Sequence, residues 1–74
     1  MRQSNDRYVT ISDVVCIKET DAALLIRLED DTEHWIPLSQ LSKDSDVSNE
    51  DDEGTITLTR WIAEQKSLEE YVDE

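Results

Sequence analysis

Leu24, Ile26 and Leu28 occupy alternate positions of the run Ala22 to Glu29, with Leu25 and Arg27 between them. A period of two builds a strand with one buried face and cannot build a helix. The cluster Glu29, Asp30, Asp31, Thr32 that follows has turn chemistry, although Asp-Asp adopts positive φ less readily than Asp-Gly. Ala22 to Pro37 therefore reads as a hairpin. Its return strand, Glu33 to Pro37, stops at a proline with no N–H to donate. Upstream, Tyr8 to Ile17 is rich in β-branched residues, and its alternation breaks at Ser12 and Asp13, which predicts a strand with a bulge or bend there. Glu19, Thr20 and Asp21 form the turn between the two strands.

Beyond the hairpin, Leu38 to Ser42 reads as one 3₁₀ or helical turn with Leu38 and Leu41 inward. The stretch 43–54 holds six acids and one base, and it is expected to bury nothing and to form a mobile loop. Gly54 ends it. Thr55 to Leu58 alternates as a fourth strand with Ile56 and Leu58 inward, and Thr59 is placed to cap a helix from Arg60 to about Tyr71. Trp61, Ile62, Gln65, Leu68 and Val72 lie near one stripe of that helix. The expected class is mainly β (α+β): a small SH3-like barrel or a strongly curved antiparallel sheet of about four to five strands, with one C-terminal helix. The expected organisation is a disordered N-terminus, 1–7, followed by a single small domain, 8–72. A domain of this size buries only about 60% of its unfolded surface, which leaves little room for a deep substrate pocket.

Charge bounds the partners. Nineteen acidic residues against seven basic ones give a net charge of −12. Such a field repels DNA, RNA and anionic membrane surfaces and attracts the basic clefts of proteins that handle nucleic acid. No apolar run approaches the roughly 18 residues of a membrane span, and Met1 to Arg7 is polar throughout, unlike a signal peptide. Cys16 is the only cysteine and fits a reducing compartment, so the expected location is the cytoplasm, that of a host if the chain is phage-encoded.

Trp35, Ile36, Pro37, Ser39, Gln40 and Leu41, followed further on by Trp61, Ile62 and Ala63, carry a resemblance. The chain is similar, from about Ile17 to Leu68, to a loose group of small proteins of bacterial genomes, phages and plasmids. Their shared pattern is a hairpin, W-[IL]-P-x-S-Q with an apolar residue after it, a variable acidic loop, and a short strand leading into a W-[IL]-A helix. Asp30 and Asp31 stand where the group has Asp-Gly, and the acidic loop is longer. The resemblance implies mobile-element ancestry and a compact β-rich fold, and no activity.

Four features can carry chemistry. Asp44, Asp46 and Ser48 begin like an EF-hand loop, but Asn49 and Thr55 replace its glycine and its bidentate glutamate. Cys16 and His34 are the only soft ligands or nucleophiles, too few for zinc, with Cys16 expected as a buried apolar residue and His34 on the exposed or rim face beside Trp35. Trp35 and Trp61 are expected in the core, since no phenylalanine is present to fill it, with interaction anchors as the alternative. The acids remain. Glu29, Asp30, Asp31 and Glu33 at the hairpin tip and Glu64, Glu69 and Glu70 on the helix are the candidate partner-binding residues, with Asp73 and Glu74 able to extend the row.

No catalytic residue, metal ligand or cofactor is expected. The expected function is that of a non-enzymatic acidic binding protein, a phage or mobile-element inhibitor of a basic, nucleic-acid-binding defence protein of the anti-CRISPR or anti-restriction type, acting as a DNA mimic. The alternative is a small adaptor or structural module in mobile-element replication or regulation.

Overall fold

The computed structural model describes residues 7–73. Four strands, β1 (Tyr8–Glu19), β2 (Ala23–Arg27), β3 (Glu33–Pro37) and β4 (Glu53–Thr59), form one antiparallel sheet in the order β3-β2-β1-β4. Helix α1 (Arg60–Gln65) follows β4 directly, and 3₁₀ turns occupy Leu38–Gln40 and Glu69–Tyr71. Of the two expected forms, the curved open sheet is the one adopted; the barrel is not closed. The chain leaving β3 still comes round to the free side of β4, where Leu41 bridges to Leu58 and Ser42 N–H donates to the Thr57 carbonyl at 2.9 Å.

Val9, Ile11, Val14 and Cys16 all face the core. Strict alternation would turn the second pair outward, and the bulge at Ser12 and Asp13, with Asp13 at φ 61°, restores it. The expected break is therefore present, and β1 continues through a second register shift between Cys16 and Lys18 to end at Glu19. At the hairpin tip, Leu28 N–H donates to the Thr32 carbonyl and Asp31 N–H to the Leu28 carbonyl, each at 2.9 Å. Glu29, Asp30 and Asp31 form the loop, with Asp31 at φ 70° in the left-handed position that closes a three-residue turn. Of the expected disordered N-terminus, residues 1–6 lie outside the described residues, and the Arg7 carbonyl accepts a hydrogen bond from Arg60 N–H at 2.8 Å.

Three expectations need correction. Segment 43–54 was expected to bury nothing, yet the Val47 side chain has 0% of its surface exposed and belongs to the core. Polar contacts set the segment around it: Asp46 N–H donates to the Thr55 carbonyl at 3.1 Å, the Ser45 hydroxyl to the Val47 carbonyl at 2.8 Å, and Asp51 N–H to the Cys16 carbonyl at 2.8 Å. Gly54, at φ 137°, supplies backbone geometry that a side chain resists and brings this segment onto β4.

The helix is also shorter than expected. Ser67 takes φ 59°, its N–H donates to the Glu64 carbonyl at 3.2 Å, and Leu68 N–H donates to the Ala63 carbonyl at 2.8 Å. This pairing ends a helix in a left-handed residue while a hydrophobic contact forms across the end, here between buried Leu68 and Ala63. Thr59 does cap the other end, accepting from Ile62 N–H at 3.2 Å and donating its hydroxyl to Gln40 Oε1 at 2.7 Å.

The tryptophans are the third correction. Trp35 is 40% exposed and Trp61 57% exposed, while the core is aliphatic apart from the Cys16 thiol. Adjacent residues of a strand face opposite ways, and Ile36 takes the inward position on β3. In six-residue α1, Ile62 and Ala63 face the sheet and leave Trp61 outside.

Val47→Ala is expected to cost about 2 kcal/mol and to lower the melting temperature by roughly 10 °C. Trp61→Ala is expected to stay within about 1 kcal/mol. Thermal melts of the two variants decide the matter, and a Val47→Ala protein that melts like the parent would remove Val47 from the packing account.

Candidate functional site

Asp30 organises the hairpin tip. Its Oδ1 accepts from the Thr32 hydroxyl at 2.6 Å and from Thr32 N–H at 3.1 Å, while its Oδ2 accepts from the Tyr71 hydroxyl. The Thr32 hydroxyl also lies 3.2 Å from His34 Nε2. Hydrogen bonds from Thr32 and then Tyr71 to the charged carboxylate hold Asp30 below the usual aspartate range. The same contact raises the Tyr71 phenol above its ordinary value, because a deprotonated Tyr71 would face the Asp30 charge without a proton to share.

This contact brings the 3₁₀ turn Glu69–Tyr71 beside the tip of the β2–β3 hairpin, a meeting of residues 41 positions apart. Glu69 and Glu70 thereby lie on the turn next to the tip that carries Glu29, Asp30, Asp31 and Glu33, with Glu69 also lining a surface hollow beside Val9, Arg60, Ala63 and Val72. Asp73 is fastened to the same region of the fold, its N–H donating to the Thr10 carbonyl at 2.8 Å and its carboxylate accepting from the Ser12 hydroxyl at 2.6 Å. Glu64 stands apart on α1, with no side-chain hydrogen bond to this group among the described residues. Glu74 lies outside the described residues.

The candidate acids are not equivalent. Glu33 is paired with Arg27 at 3.2 Å, and both side chains are nearly half exposed, so the pair contributes little to stability. Asp30 has both oxygens engaged within the chain. Glu29, Asp31, Glu69 and Glu70 are exposed and make no side-chain hydrogen bond or ion pair among the described residues. They are the candidate carboxylates left unengaged for a partner.

A second acidic group sits at the other end of β2. Glu19 Oε1 accepts from Glu50 N–H at 3.2 Å, and Asp52 Oδ2 accepts from the N–H groups of Ser48 and Asn49 at 3.1 and 2.9 Å. Those backbone donors lower the Asp52 carboxyl. Among the described residues no group of three or more His, Cys, Asp or Glu side chains has metal-binding geometry. Cys16 is fully buried, its thiol donates to the Lys18 carbonyl at 3.2 Å, and burial pushes its pKa up, away from the thiolate that a nucleophile requires. His34 is half-buried and alternates away from Trp35, so it does not share a face with the indole.

The expected core placement leaves a surface role for Trp35 and Trp61 only as the alternative, and both rings are exposed. The signal was present, because Ile36 beside Trp35 and Ile62 beside Trp61 compete for the same inward positions. No helix among the described residues is long and apolar enough to cross a membrane. No protein-family model, curated protein or solved structure matches the chain.

The pH dependence of the Tyr71–Asp30 contact follows from the two shifts. Asp30, with its folded value lowered, contributes stability that is present above the ordinary aspartate range and is lost as pH falls through the lowered value. Tyr71, with its folded value raised, contributes stability present below the ordinary tyrosine value and lost as pH rises through the raised one. The melting-temperature advantage of the parent over Tyr71→Phe is therefore expected to be flat from about pH 5 to about pH 9 and to narrow on both sides. Paired melts across that range provide the check, and an undiminished advantage near pH 2 would mean that the contact does not depend on the Asp30 charge.

Proposed function

We propose that this protein is a non-enzymatic acidic binding protein, a phage or mobile-element product that inhibits a host nucleic-acid-binding defence machine by occupying its basic channel. A CRISPR effector or a restriction enzyme fits that description. The observation that carries the reading is the gathering of Glu29, Asp31, Glu69 and Glu70, unpaired among the described residues, at one end of a chain of net charge −12. Duplex DNA presents one charge per about 1.7 Å of axis, and a small folded protein that holds carboxylates in a fixed row can take its place in a basic groove. The Tyr71 contact and the Asp30 turn fix the backbone that carries these carboxylates before any partner binds, which lowers the ordering entropy lost on association and supports this reading.

A second reading has its own support. The exposure of Trp35 and Trp61 favours an adaptor whose partner buries an indole, with the charge serving solubility and steering.

The two readings separate under salt and competition. For an inhibitor of the first kind, raising salt from about 50 to about 500 mM lowers the on-rate to a panel of purified CRISPR effectors and restriction enzymes by about tenfold or more. Duplex DNA or guide RNA competes for the bound partner. Replacing Glu29, Asp31, Glu69 and Glu70 together by amides weakens binding and leaves the melting temperature near that of the parent. If a partner holds this protein and its nucleic acid at once, with salt-insensitive affinity, the adaptor reading replaces the inhibitor.

A further inference from the structure

The outer edge of β3 is open. Two hydrogen bonds bracket the β2–β3 ladder: Leu28 N–H to the Thr32 carbonyl and Leu38 N–H to the Ala22 carbonyl, each at 2.9 Å. Directly opposed residues of an antiparallel pair alternate between hydrogen-bonded and non-bonded. Between the brackets, Ile26 with His34 and Leu24 with Ile36 are then the bonded pairs, and Arg27 with Glu33 and Leu25 with Trp35 are the non-bonded ones. The backbone N–H and C=O groups of Glu33 and Trp35 consequently point away from β2. Because β3 is the last strand of the sheet, they meet no protein partner among the described residues. Proteins commonly blunt such edges with proline or charge. Here Pro37 blunts one end, while the middle of the edge carries an exposed tryptophan.

The side chains beside this edge are also suited to a ligand. Trp35 lies opposite Leu25 on the outer face, and Lys18 lies opposite Leu25 on β1 beside the bulged Ile17. Trp35 and Leu25 form a partly exposed apolar pair running in from the edge as far as Lys18. At the hairpin end, the edge runs into Glu33, Asp31 and Glu29, so one end of any added strand meets negative charge. A second copy of this chain would bring another net charge of −12 to that meeting.

We propose that the β3 edge accepts an extended segment of the partner protein as a fifth strand. That segment places an apolar side chain over Trp35 and Leu25 and carries Lys or Arg where it passes Glu33, Asp31 and Glu29. The inference rests on the basic partner of the proposed function, and it names the surface that partner uses and the form in which it binds.

Two blocked synthetic peptides of about ten residues test it on the full-length chain. One alternates valine and lysine; the other has the same sequence with every backbone nitrogen methylated, which keeps the charge and removes the donors on both edges. The first peptide is expected to slow hydrogen exchange at the Glu33 and Trp35 amides by about tenfold or more and to shift the Trp35 indole resonance, while the methylated peptide does neither. Trp35→Pro, which removes the edge donor and the ring, is expected to abolish the effect, and Trp35→Thr to weaken it, with melts confirming that both variants fold.

Equal binding of the two peptides, or protection elsewhere in the chain, overturns strand addition and leaves the acidic-inhibitor reading standing. Equal protection by a valine–glutamate peptide overturns the basic chemistry assigned to the segment, and that reading with it. Protection of Glu33 and Trp35 that rises with protein concentration and needs no peptide overturns the proposal in favour of a second copy.

Discussion

The bulge at Ser12 and Asp13 is the constraint on which the rest of the fold depends. β1 pairs with β2 on one side and β4 on the other, so its side chains set which way both neighbours must face. Val9 and Ile11 pack inside under one parity and Val14 and Cys16 under the other. Only an inserted irregularity lets both pairs share a core, and the left-handed Asp13 makes it. Ile56 lies opposite Ile11 before the bulge and Ile26 opposite Cys16 after it, and all four are buried. The curvature of the sheet follows, because a bulged strand bends and twists more strongly than a regular one.

Where one local rule acted alone, the fold was legible. Alternation placed β2, β3 and the inward residues of β4, the broken alternation located the bulge, and a threonine before an apolar run marked the helix cap. The misreadings arose where two rules competed. In segment 43–54, composition argued for a chain that buries nothing, but one valine among six acids reaches the core where Asp52, Ser45 and Asp46 satisfy the nearby backbone. At residues 66–68, the apolar stripe argued for a longer helix, but Leu68 reaches the core through a helix-ending turn rather than another helical turn. The tryptophans were assigned by size, when the isoleucine beside each one already claimed the inward position.

The candidate site was only partly readable for a related reason. The acids of the tip and of the last 3₁₀ turn can be named from the chain, but their proximity depends on a contact between residues 41 positions apart. Their differing availability depends on Arg27, Thr32 and Tyr71, which carry no acidic charge and so do not stand out in a search for it. Which backbone groups of β3 face outward, unpaired among the described residues, follows from turn parity together with the sheet order, and alternation along the chain does not supply the order.

Asp13, Asp31 and Asp51 all adopt positive φ, in a chain with a single glycine. Aspartate tolerates this conformation better than most residues because its short side chain can bond to the nearby backbone. Part of the negative charge is thus a by-product of bending the chain with a residue that happens to ionise. An alanine scan of the acids would confuse two roles at these positions, removing a charge and straining a turn in the same step. Asparagine, which keeps the left-handed tolerance and drops the charge, separates them, so any acidity that serves the proposed recognition is the part whose loss is felt even when asparagine preserves every turn.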